Sequence, residues 1–343
     1  MKAVSLEGPS QCHVIESPMP ERDGDKVIIK VSVCGICGSD LHFWKHGAGM
    51  DKKPGLIMGH EFCGQVQDPG CRTDLSPGDR VTVIPINPCG VCGSCTQGHP
   101  NLCQDGTVRP IPGLSSPGGY AQYCTVRPDL VRKLPESITD QEAAMIEPAS
   151  VALHAVHQAD ISADHSVLIS GGGPVGLMCA MWAKQLGASR VALTEMNPFR
   201  LEFARTVPYI DDVLDAREPG LGRTLRKGSG GFDRVIETSA SEAGIHLAIT
   251  TLKTRGHMVL TGISYKPQLI STLSCTLKEL TIKTAFGYTI DEFDMAQDYI
   301  SRHLLPMGPL ATRSISLDQV QETLANLSSG SLDDIKIMIC PWL

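Results

Sequence analysis

The sequence lacks the features that mark membrane proteins and nucleic-acid-binding proteins. No stretch of its 343 residues approaches the ~18 uninterrupted apolar residues of a transmembrane helix. Lys and Arg total 30 against 37 Asp and Glu, and no basic cluster forms a stripe suited to nucleic acid or an anionic membrane. The stretch MKAVSLEGPSQC has no long apolar core of the signal-peptide type. We therefore expect a cytoplasmic protein with neither nucleic acid nor membrane as its main partner.

A disulfide scaffold is also disfavoured. The thirteen cysteines are an odd number in a long chain, whereas disulfide-stapled domains are usually short with an even count. In a reducing compartment, clustered cysteines more often bind metal. Apolar residues make up 42% and charged residues 20%, as in an ordinary globular protein, and the length suits about two domains.

The chain changes character after Pro148. Before it, Gly and Pro are frequent and the β-branched segments are short, which predicts a mostly β domain with strands at 26–33, 79–84 and 121–126. After it, apolar strands alternate with helical stretches such as 174–188, which predicts a parallel sheet with right-handed crossovers and strands at 165–170, 189–195, 232–238 and 256–262. A helix after 286 and a final strand at 335–339 close the chain.

The stretch GGGPVG follows one of these strands and fits the dinucleotide pattern G-x-G-x-x-G as Gly171, Gly173 and Gly176. Glycines permit a tight turn and let the backbone approach a pyrophosphate, while the helix directs unpaired N–H groups at it. Pro174 suits the first helical turn, and Val175 follows it. The alternative is a structural strand–turn–helix unit without a ligand.

An acidic residue, Glu195, lies 22 residues after Gly173 at the end of the next predicted strand. A carboxylate there binds the adenosine ribose hydroxyls and repels a 2′-phosphate, so NAD is favoured over NADP. Arg200 lies close enough in sequence to keep NADP as an alternative. Gly262, after a later strand, completes the predicted cofactor-binding set.

Four cysteines in PCGVCGSCTQGHPNLC have the spacing Cys-x2-Cys-x2-Cys-x7-Cys: Cys89, Cys92, Cys95 and Cys103. Four thiolates complete the tetrahedral coordination of zinc and leave no open position, which predicts a structural zinc site. An iron–sulfur cluster is the alternative on ligand type, and a strained Cys-x2-Cys disulfide is disfavoured.

A second cluster combines different ligand types. Cys37 in CGICGSDLH, His60 and Glu61 in MGHEF, and Glu147 in IEPAS offer sulfur, nitrogen and oxygen, which suits a catalytic zinc with an open position. Taken singly, each residue is more often a packing or surface residue. A redox pair of Cys34 with Cys37 is the other alternative.

These motifs, in this order and at these intervals, closely resemble the zinc-containing medium-chain alcohol dehydrogenase family over essentially the whole chain. Within the family, GICGSD and the EP at 147–148 are most similar to the polyol and sorbitol, butanediol and threonine 3-dehydrogenases. The stretch TEMNPFRLEFAR resembles the threonine dehydrogenases.

The resemblance implies an α/β fold in which a doubly wound Rossmann domain is inserted in a mostly β, GroES-like catalytic domain. The expected bounds are 150–285 for the dinucleotide-binding domain, and 1–149 with 286–343 for the catalytic domain that holds two zinc sites. The active site would lie in the cleft between them. The resemblance also implies a homodimer or homotetramer built through the cofactor domain.

The resemblance further assigns roles to single residues. Cys37 and His60 would bind the catalytic zinc, Glu61 would ligate or step aside, and Glu147 would exchange with water or relay protons. The alcohol proton would pass from Ser39 through the cofactor ribose to His42, for which an ordinary exposed histidine is the alternative. Asp40 would support the metal site from a second shell.

The implied activity is hydride transfer between NAD and a secondary alcohol, such as a polyol, sugar-derived alcohol, diol or hydroxy acid, with two zinc ions per chain. The alternative substrate is a β-hydroxy amino acid, as for L-threonine 3-dehydrogenase. Sorbitol-type enzymes carry Tyr where this chain has Phe43, and Arg where it has Gly287, so a long polyol is disfavoured. Phe43, Trp44 and Phe286 would then line a more apolar pocket, unless they are core residues.

Two other classes remain as competitors. A zinc-ribbon module that binds nucleic acid or protein is disfavoured by the acidic charge and the intact dinucleotide turn. A non-catalytic family member that acts as a sensor or subunit is disfavoured by the complete set of Cys37, Ser39, His60 and Glu147.

Overall fold

The computed structural model describes residues 1–50, 52–106 and 109–343. The chain divides into two compact units. Met1–Glu147 and Thr289–Leu343 form the first unit, and Pro148–Tyr288 form the second. The expected domain bounds differ from these junctions by two and three residues. No helix in the described part of the chain is long and apolar enough to cross a membrane.

The first segment of the chain supplies eight strands and three helices: β1 (Lys2–Gly8), β2 (Gln11–Glu16), β3 (Val27–Gly35), α1 (Gly38–His46), β4 (Leu56–Ile57), β5 (Glu61–Asp68), β6 (Arg80–Val83), α2 (Gly93–Thr96), β7 (Tyr123–Val126), β8 (Val131–Lys133) and α3 (Asp140–Ala144). Short 3-10 turns lie at Pro100–Leu102 and Pro128–Leu130. Helix α4 (Ile146–Ala159) begins at the end of this segment.

The second unit alternates strands with helices: β9 (Ser166–Ser170), α5 (Pro174–Gln185), β10 (Arg190–Glu195), α6 (Pro198–Arg205), β11 (Asp212–Asp215), α7 (Leu221–Ser229), β12 (Phe232–Glu237), α8 (Glu242–Thr251), β13 (Leu252–Leu260), α9 (Thr272–Leu277) and β14 (Thr281–Thr284). The chain then returns to the first unit with α10 (Ile290–Ser301), β15 (Ala311–Ile315), α11 (Val320–Ser329) and β16 (Lys336–Ile339), and with 3-10 turns at Gly308–Leu310 and Leu317–Gln319.

The sheet of the first unit joins the two ends of the chain. Its order is β15-β16-β3-β5-β6-β8, with β7 also paired to β3, and β2-β1-β4 form a smaller sheet. Strand β3 is buried along nearly its whole length because its run of Val and Ile packs into the core of this unit. The mostly β character predicted for this part of the chain is therefore confirmed.

The sheet of the second unit is fully parallel, in the order β11-β10-β9-β12-β13-β14. This is the doubly wound order: β10 and β11 are added on one side of β9, and β12, β13 and β14 on the other side. Ligands bind outside the carboxyl ends of the strands at the point between β9 and β12 where the order switches sides. The predicted Rossmann-type sheet is confirmed. The turn GGGPVG follows β9 and so lies at this switch point.

Candidate active site

The pairing of β3 with β5 assembles a three-residue cluster in the first unit. Cys37 lies just beyond β3, at the N-cap of α1, and His60 directly precedes β5. The antiparallel register sets Gly35 opposite Glu61. The possible ligand atoms of Cys37, His60 and Glu61 all lie within 4.8 Å of one another. Residues at the end of β3 and at the start of β5 are thus brought together in one site.

The cluster is buried and held in place by a carboxylate. His60 and Glu61 are 5% and 1% exposed, and Asp40 is fully buried beneath them. Asp40 Oδ2 accepts hydrogen bonds from the backbone N–H of Cys37 and from the hydroxyl of Tyr120, each at 2.9 Å. Its Oδ1 lies 3.7 Å from His60 Nδ1. This distance is too long for a hydrogen bond, so Asp40 acts on the ring of His60 through its charge and holds the backbone of Cys37 through the hydrogen bond from its N–H.

The electrostatics of the cluster favour a cation. Burial alone would lower the pKa of His60, but the sulfur of Cys37 and the carboxylates of Asp40 and Glu147 raise that pKa well above its usual range. Several negative groups therefore surround one imidazole. The mixed sulfur, nitrogen and oxygen donors fit Zn²⁺ with fewer than four strong protein ligands.

A buried lysine, which the sequence analysis did not single out, neutralises part of this charge. Lys336 of β16 is 2% exposed, and its ammonium forms an ion pair with Glu61 and donates to the carbonyl of Ile36 at 2.9 Å. A Cβ on Gly35 would lie 2.4 Å from Glu61 Oε2 and 2.8 Å from Lys336 Cε, so only glycine leaves room for the pair. One signal was present in the sequence: a lone charge inside the apolar strand IKIMI.

The remaining predicted active-site residues lie around this cluster. Glu147, near the start of α4, is outside the group of three ligand atoms, but its charge contributes to the raised pKa of His60. Ser39 is in the first turn of α1, and its hydroxyl is buried with no hydrogen-bond partner among the described residues. His42, one turn further along α1, is half-buried, and burial together with His46 and Lys45 lowers its pKa.

The four predicted cysteine ligands of the other site also meet. Their sulfur atoms lie within 4.8 Å of one another, and the cysteines are Cys89, Cys92, Cys95 and Cys103. The Sγ atoms of Cys89 and Cys95 are 4.0 Å apart, and all thirteen cysteines of the chain are free thiols. Backbone N–H groups of Cys95 and Gln104 lower the pKa of Cys92 to about 6. Four converging sulfurs at the surface, without a disulfide, fit tetrahedral zinc.

The second unit contains a cavity of about 850 Å³ at the switch point of its sheet. Of the predicted cofactor-binding residues, Gly171, Gly173, Glu195 and Arg200 line it. This volume is within the usual range of ligand pockets. Gly176 lies behind the turn, where a Cβ would be 1.9 Å from the carbonyl oxygen of Gly171, so the helix can approach the strand only with glycine here.

The other predicted cofactor residues do not line the cavity. Pro174 and Val175 form the first turn of α5, and Gly262 follows β13. The N–H of Gly262 bonds the carbonyl of Glu237, whose own buried carboxylate accepts from the N–H groups of Ser239 and Ala240. Glu237 thus shapes the turn after β12, a role that no sequence pattern predicted.

Glu195 is the final residue of β10, and its carboxylate is anchored at the edge of this cavity. It accepts hydrogen bonds from the N–H groups of Gly172 at 2.8 Å, Met196 at 2.6 Å and Asn197 at 2.9 Å. The glycine-rich turn and the acidic residue are therefore tied together directly. A rigid cradle of this kind fits the adenosine and pyrophosphate of a dinucleotide.

The aromatic residues considered for a substrate pocket separate into two groups. Phe43 and Trp44 are 7% and 5% exposed and belong to the core of the first unit, and Trp44 Nε1 donates to Gln321 at 3.0 Å. Phe286 is 55% exposed. Phe43 and Trp44 are therefore core residues, which was the alternative considered for them.

Comparison with known proteins decides the family. The profile of the alcohol dehydrogenase GroES-like domain matches residues 23–136, and that of the zinc-binding dehydrogenases matches residues 174–302. The probable D-xylulose reductase A of Aspergillus clavatus is 33% identical over 334 residues, 95% of this chain and 93% of the relative. The chain belongs to the zinc-containing medium-chain alcohol dehydrogenases. The first match covers both metal clusters.

Solved structures of this dehydrogenase family agree. The 2R,3R-butanediol dehydrogenase of Bacillus subtilis has a TM-score of 0.87 and 28% identity, with 99% of each chain covered. A dehydrogenase of Escherichia coli CFT073 solved with NADH has a TM-score of 0.89 and 27% identity, also with 99% of each chain covered. The chain described here is accordingly a zinc-dependent oxidoreductase of alcohols or polyols. The alternative of a threonine dehydrogenase is not better supported.

Proposed function

We propose that this dehydrogenase oxidises a secondary alcohol with NAD and reduces the corresponding ketone in the reverse direction. The substrate class is a polyol, a sugar-derived alcohol, a diol or a hydroxy acid. The observation that carries the proposal is the convergence of Cys37, His60 and Glu61 within 4.8 Å, in the same unit as the buried hydroxyl of Ser39.

Two zinc ions per chain are proposed. Cys37, His60 and Glu61 would hold the catalytic ion, with Glu147 exchanging with water beside it, and the four cysteines of the surface lobe would hold the structural ion. Zinc held by these residues would supply a Lewis acid for the substrate oxygen, and the nicotinamide would supply the acceptor or donor of the hydride. The Lys336–Glu61 pair supports this role, because a carboxylate shared with a buried ammonium can step away from the metal without being left unpaired.

The alcohol proton is assigned to Ser39 and His42. The Ser39 hydroxyl is buried and has no hydrogen-bond partner in the described part of the chain, so it is available to the substrate hydroxyl. The half-buried His42 would hand the proton to solvent. Burial, then the neighbouring His46 and Lys45, lower its pKa, so the imidazole of His42 can accept a proton at pH 7.

The cavity of the second unit is assigned to NAD. Its glycine-rich turn would receive the pyrophosphate, and Glu195 would accept the ribose hydroxyls and repel a 2′-phosphate. Arg200 lines the same cavity and is the group through which NADP would compete. The first unit is accordingly proposed as the catalytic domain and the second as the cofactor domain.

The proposed substrate is smaller or less polar than sorbitol. Gly287 has no side chain with which to bind hydroxyls, whereas the sorbitol-type enzymes carry arginine at this point of the resemblance. Phe43 likewise replaces a tyrosine and is packed in the core. The difference at position 287 removes a polar group that would favour a long polyol, whereas the core position of Phe43 gives it no part in this argument.

We also propose a homodimer formed through the second unit. Strand β14 is the edge of the parallel sheet, and eight exposed large apolar residues lie close to it in sequence. This edge patch consists of Ile263, Tyr265, Leu269, Ile270, Leu273, Leu277, Ile282 and Phe286. A second copy related by a two-fold axis would pair its β14 antiparallel with this one and cover the patch. We propose a cytoplasmic location as well, because the four cysteines of the lobe have to stay reduced in order to bind zinc.

The proposal is tested by NADH formation on a panel containing xylitol, 2R,3R-butanediol, a hydroxy acid and threonine, with NADP run in parallel. We expect NAD-dependent turnover of one of the first three by zinc-loaded protein and no turnover by Cys37→Ala. The exposed Cys71→Ser is the matched control. Turnover of threonine alone would overturn the substrate class, turnover with NADP alone would overturn the cofactor, and an active Cys37→Ala would overturn the metal mechanism.

A further inference from the structure

The C-terminal half of α1 presents two histidines on one face of the helix. His42 and His46 are four residues apart, and their ring centroids are 4.3 Å apart with an interplanar angle of 51°. Side chains at this spacing lie one above the other on a helix, so one ring nitrogen from each can reach a shared ion. Imidazole is a preferred ligand of zinc, nickel and copper.

The surroundings of the pair combine groups that favour a bound cation with one positive charge that opposes it. Helix α1 ends at His46, and the partial negative charge of its terminal carbonyls favours a positive ion there. His46 is exposed and His42 half-buried, which leaves room for water ligands. Lys45, in the same turn, is the opposing charge, and it lowers the pKa of His42 after burial and His46. A neutral imidazole at pH 7 is the form that binds metal.

We propose that His42 and His46 form a third metal site, which binds Zn²⁺ or Ni²⁺ reversibly and blocks proton transfer through His42 when it is occupied. The two assigned zinc sites use none of these ligands. The inhibitory consequence rests on the proposed function of His42, whereas binding of the ion does not. The ion would therefore act as an inhibitor at a site distinct from the catalytic ligands.

The ligand type sets the selectivity and pH dependence of this third site. Two imidazoles favour Zn²⁺ and Ni²⁺ over Mg²⁺ and Ca²⁺, which prefer oxygen ligands. Protons compete for the same ring nitrogens, so binding weakens as the pH falls through the range in which the histidines become protonated. Mg²⁺ is therefore the negative control.

The test is equilibrium dialysis of the zinc-loaded holoenzyme against added Zn²⁺ at pH 7.5 and pH 5.5, with inhibition of turnover measured in parallel. His46→Gln removes one ligand, and His303→Gln makes the same change at an exposed histidine that follows α10. We expect one additional zinc per chain at pH 7.5 for the wild type and for His303→Gln. For His46→Gln we expect at least ~10-fold weaker binding, as loss of a ligand costs no less than the 10–100-fold known for its supporting residues. Inhibition, expressed against the uninhibited rate of each variant, is expected to follow the binding.

The outcomes separate this proposal from the proposed function. Equal extra zinc binding by His46→Gln and the wild type would overturn the third site. Extra binding that depends on His46 but leaves turnover unchanged would overturn the inhibitory role and would count against His42 as the proton carrier. If no substrate is turned over, the dialysis result still decides whether the site exists, and only the proposed function fails.

Discussion

Lys336 is a cation enclosed by protein, next to a carboxylate that would otherwise be buried alone. It is 2% exposed and Glu61 is 1% exposed. Replacing Lys336 by Met keeps an unbranched side chain of similar length but leaves Glu61 without its ion pair. We expect the free energy of unfolding to fall by about 3–5 kcal/mol, the usual cost of breaking a buried pair. Chemical denaturation of the metal-free protein measures this loss.

The double variant Lys336→Met with Glu61→Gln is the control for this prediction. Because it removes both charges, we expect it to recover much of the lost stability. A single variant as stable as the wild type would show that the pair contributes nothing, and a double variant no better than the single one would assign the loss to packing.

Cys37 and the cysteines of the lobe belong to separate clusters of possible metal ligands, proposed here as two zinc sites. Cys37→Ser is therefore expected to reduce bound zinc from two ions per chain to about one and to reduce turnover by at least ~100-fold, since a thiolate ligand of the catalytic ion is lost. Atomic absorption together with initial rates measures both. Retention of two tightly bound ions would contradict the assignment.

Single residues were predictable where the chemistry lay within a few positions of the chain. Short motifs indicate metal ligands at Cys89, Cys92 and Cys95 and at the pair His60–Glu61. Lys336 and Tyr120 could not be found in this way, because they join the site only when distant strands pair, and a lone Lys or Tyr has many other uses. Glu237 was missed for a different reason: its carboxylate bonds the nearby N–H groups of Ser239 and Ala240, but no sequence pattern marks such a turn.

The glycine-rich turn between β9 and α5 gives a prediction for an element. Gly176→Ala would force a methyl to 1.9 Å from the backbone oxygen of Gly171, so we expect a loss of about 1–3 kcal/mol in stability from overpacking. Gly173 has ordinary backbone angles and only Arg200 Nη1 near its Cβ position, at 3.8 Å. Gly173→Ala should therefore fold normally but bind NADH more weakly. Thermal unfolding and NADH fluorescence titration separate the two effects, and equal behaviour of the variants would contradict the cradle.

The pairing of β9 with β12 depends on pH through Asp233. Burial would raise its pKa, but Lys253 and the N–H and hydroxyl of Ser166 outweigh burial and lower the pKa to about 2. A folded-state pKa below the unfolded value of about 3.9 stabilises the protein above pH ~4, and this stabilisation is lost as pH falls towards 2. Asp233→Asn should cost about 1 kcal/mol at pH 7, allowing for partial exposure, and this cost should shrink progressively as the pH falls from about 4 through 2. A difference in stability between Asp233→Asn and the wild type that stays constant from pH 7 to pH 2 would contradict this role of Asp233.

Elements with long apolar runs were predicted well, and polar edges were not. Strands β9, β10 and β12 match their predicted stretches within a residue or two because both faces are buried between helices. Strand β14 was not predicted, because three of its four residues are exposed and only its hydrogen bonds to β13 define it. The start of β13 was also placed late, since an irregularity in its pairing with β12 separates Leu252 from the regular register.

At the scale of the whole molecule, the edge patch makes the oligomeric state testable. Ile282 is in the middle of the exposed face of β14. Ile282→Lys places a charge where two copies would meet, so we expect it to shift the protein from dimer to monomer without unfolding it. Light scattering gives the mass, and the exposed Val91→Lys, in the cysteine lobe, is the matched control. A monomeric wild type would contradict the dimer.

The first unit is built from the two ends of the chain, and this has a consequence for the order of events during synthesis. Ile36 and Lys336 are 300 residues apart, which a ribosome takes roughly 15–60 s to cover. The second unit is continuous in sequence and can be completed first. Throughout that interval Glu61 lacks the ammonium that neutralises it, and β3 lacks β16 as a neighbour. The proposed catalytic metal site is therefore among the last parts of the nascent protein to mature, after the proposed cofactor domain.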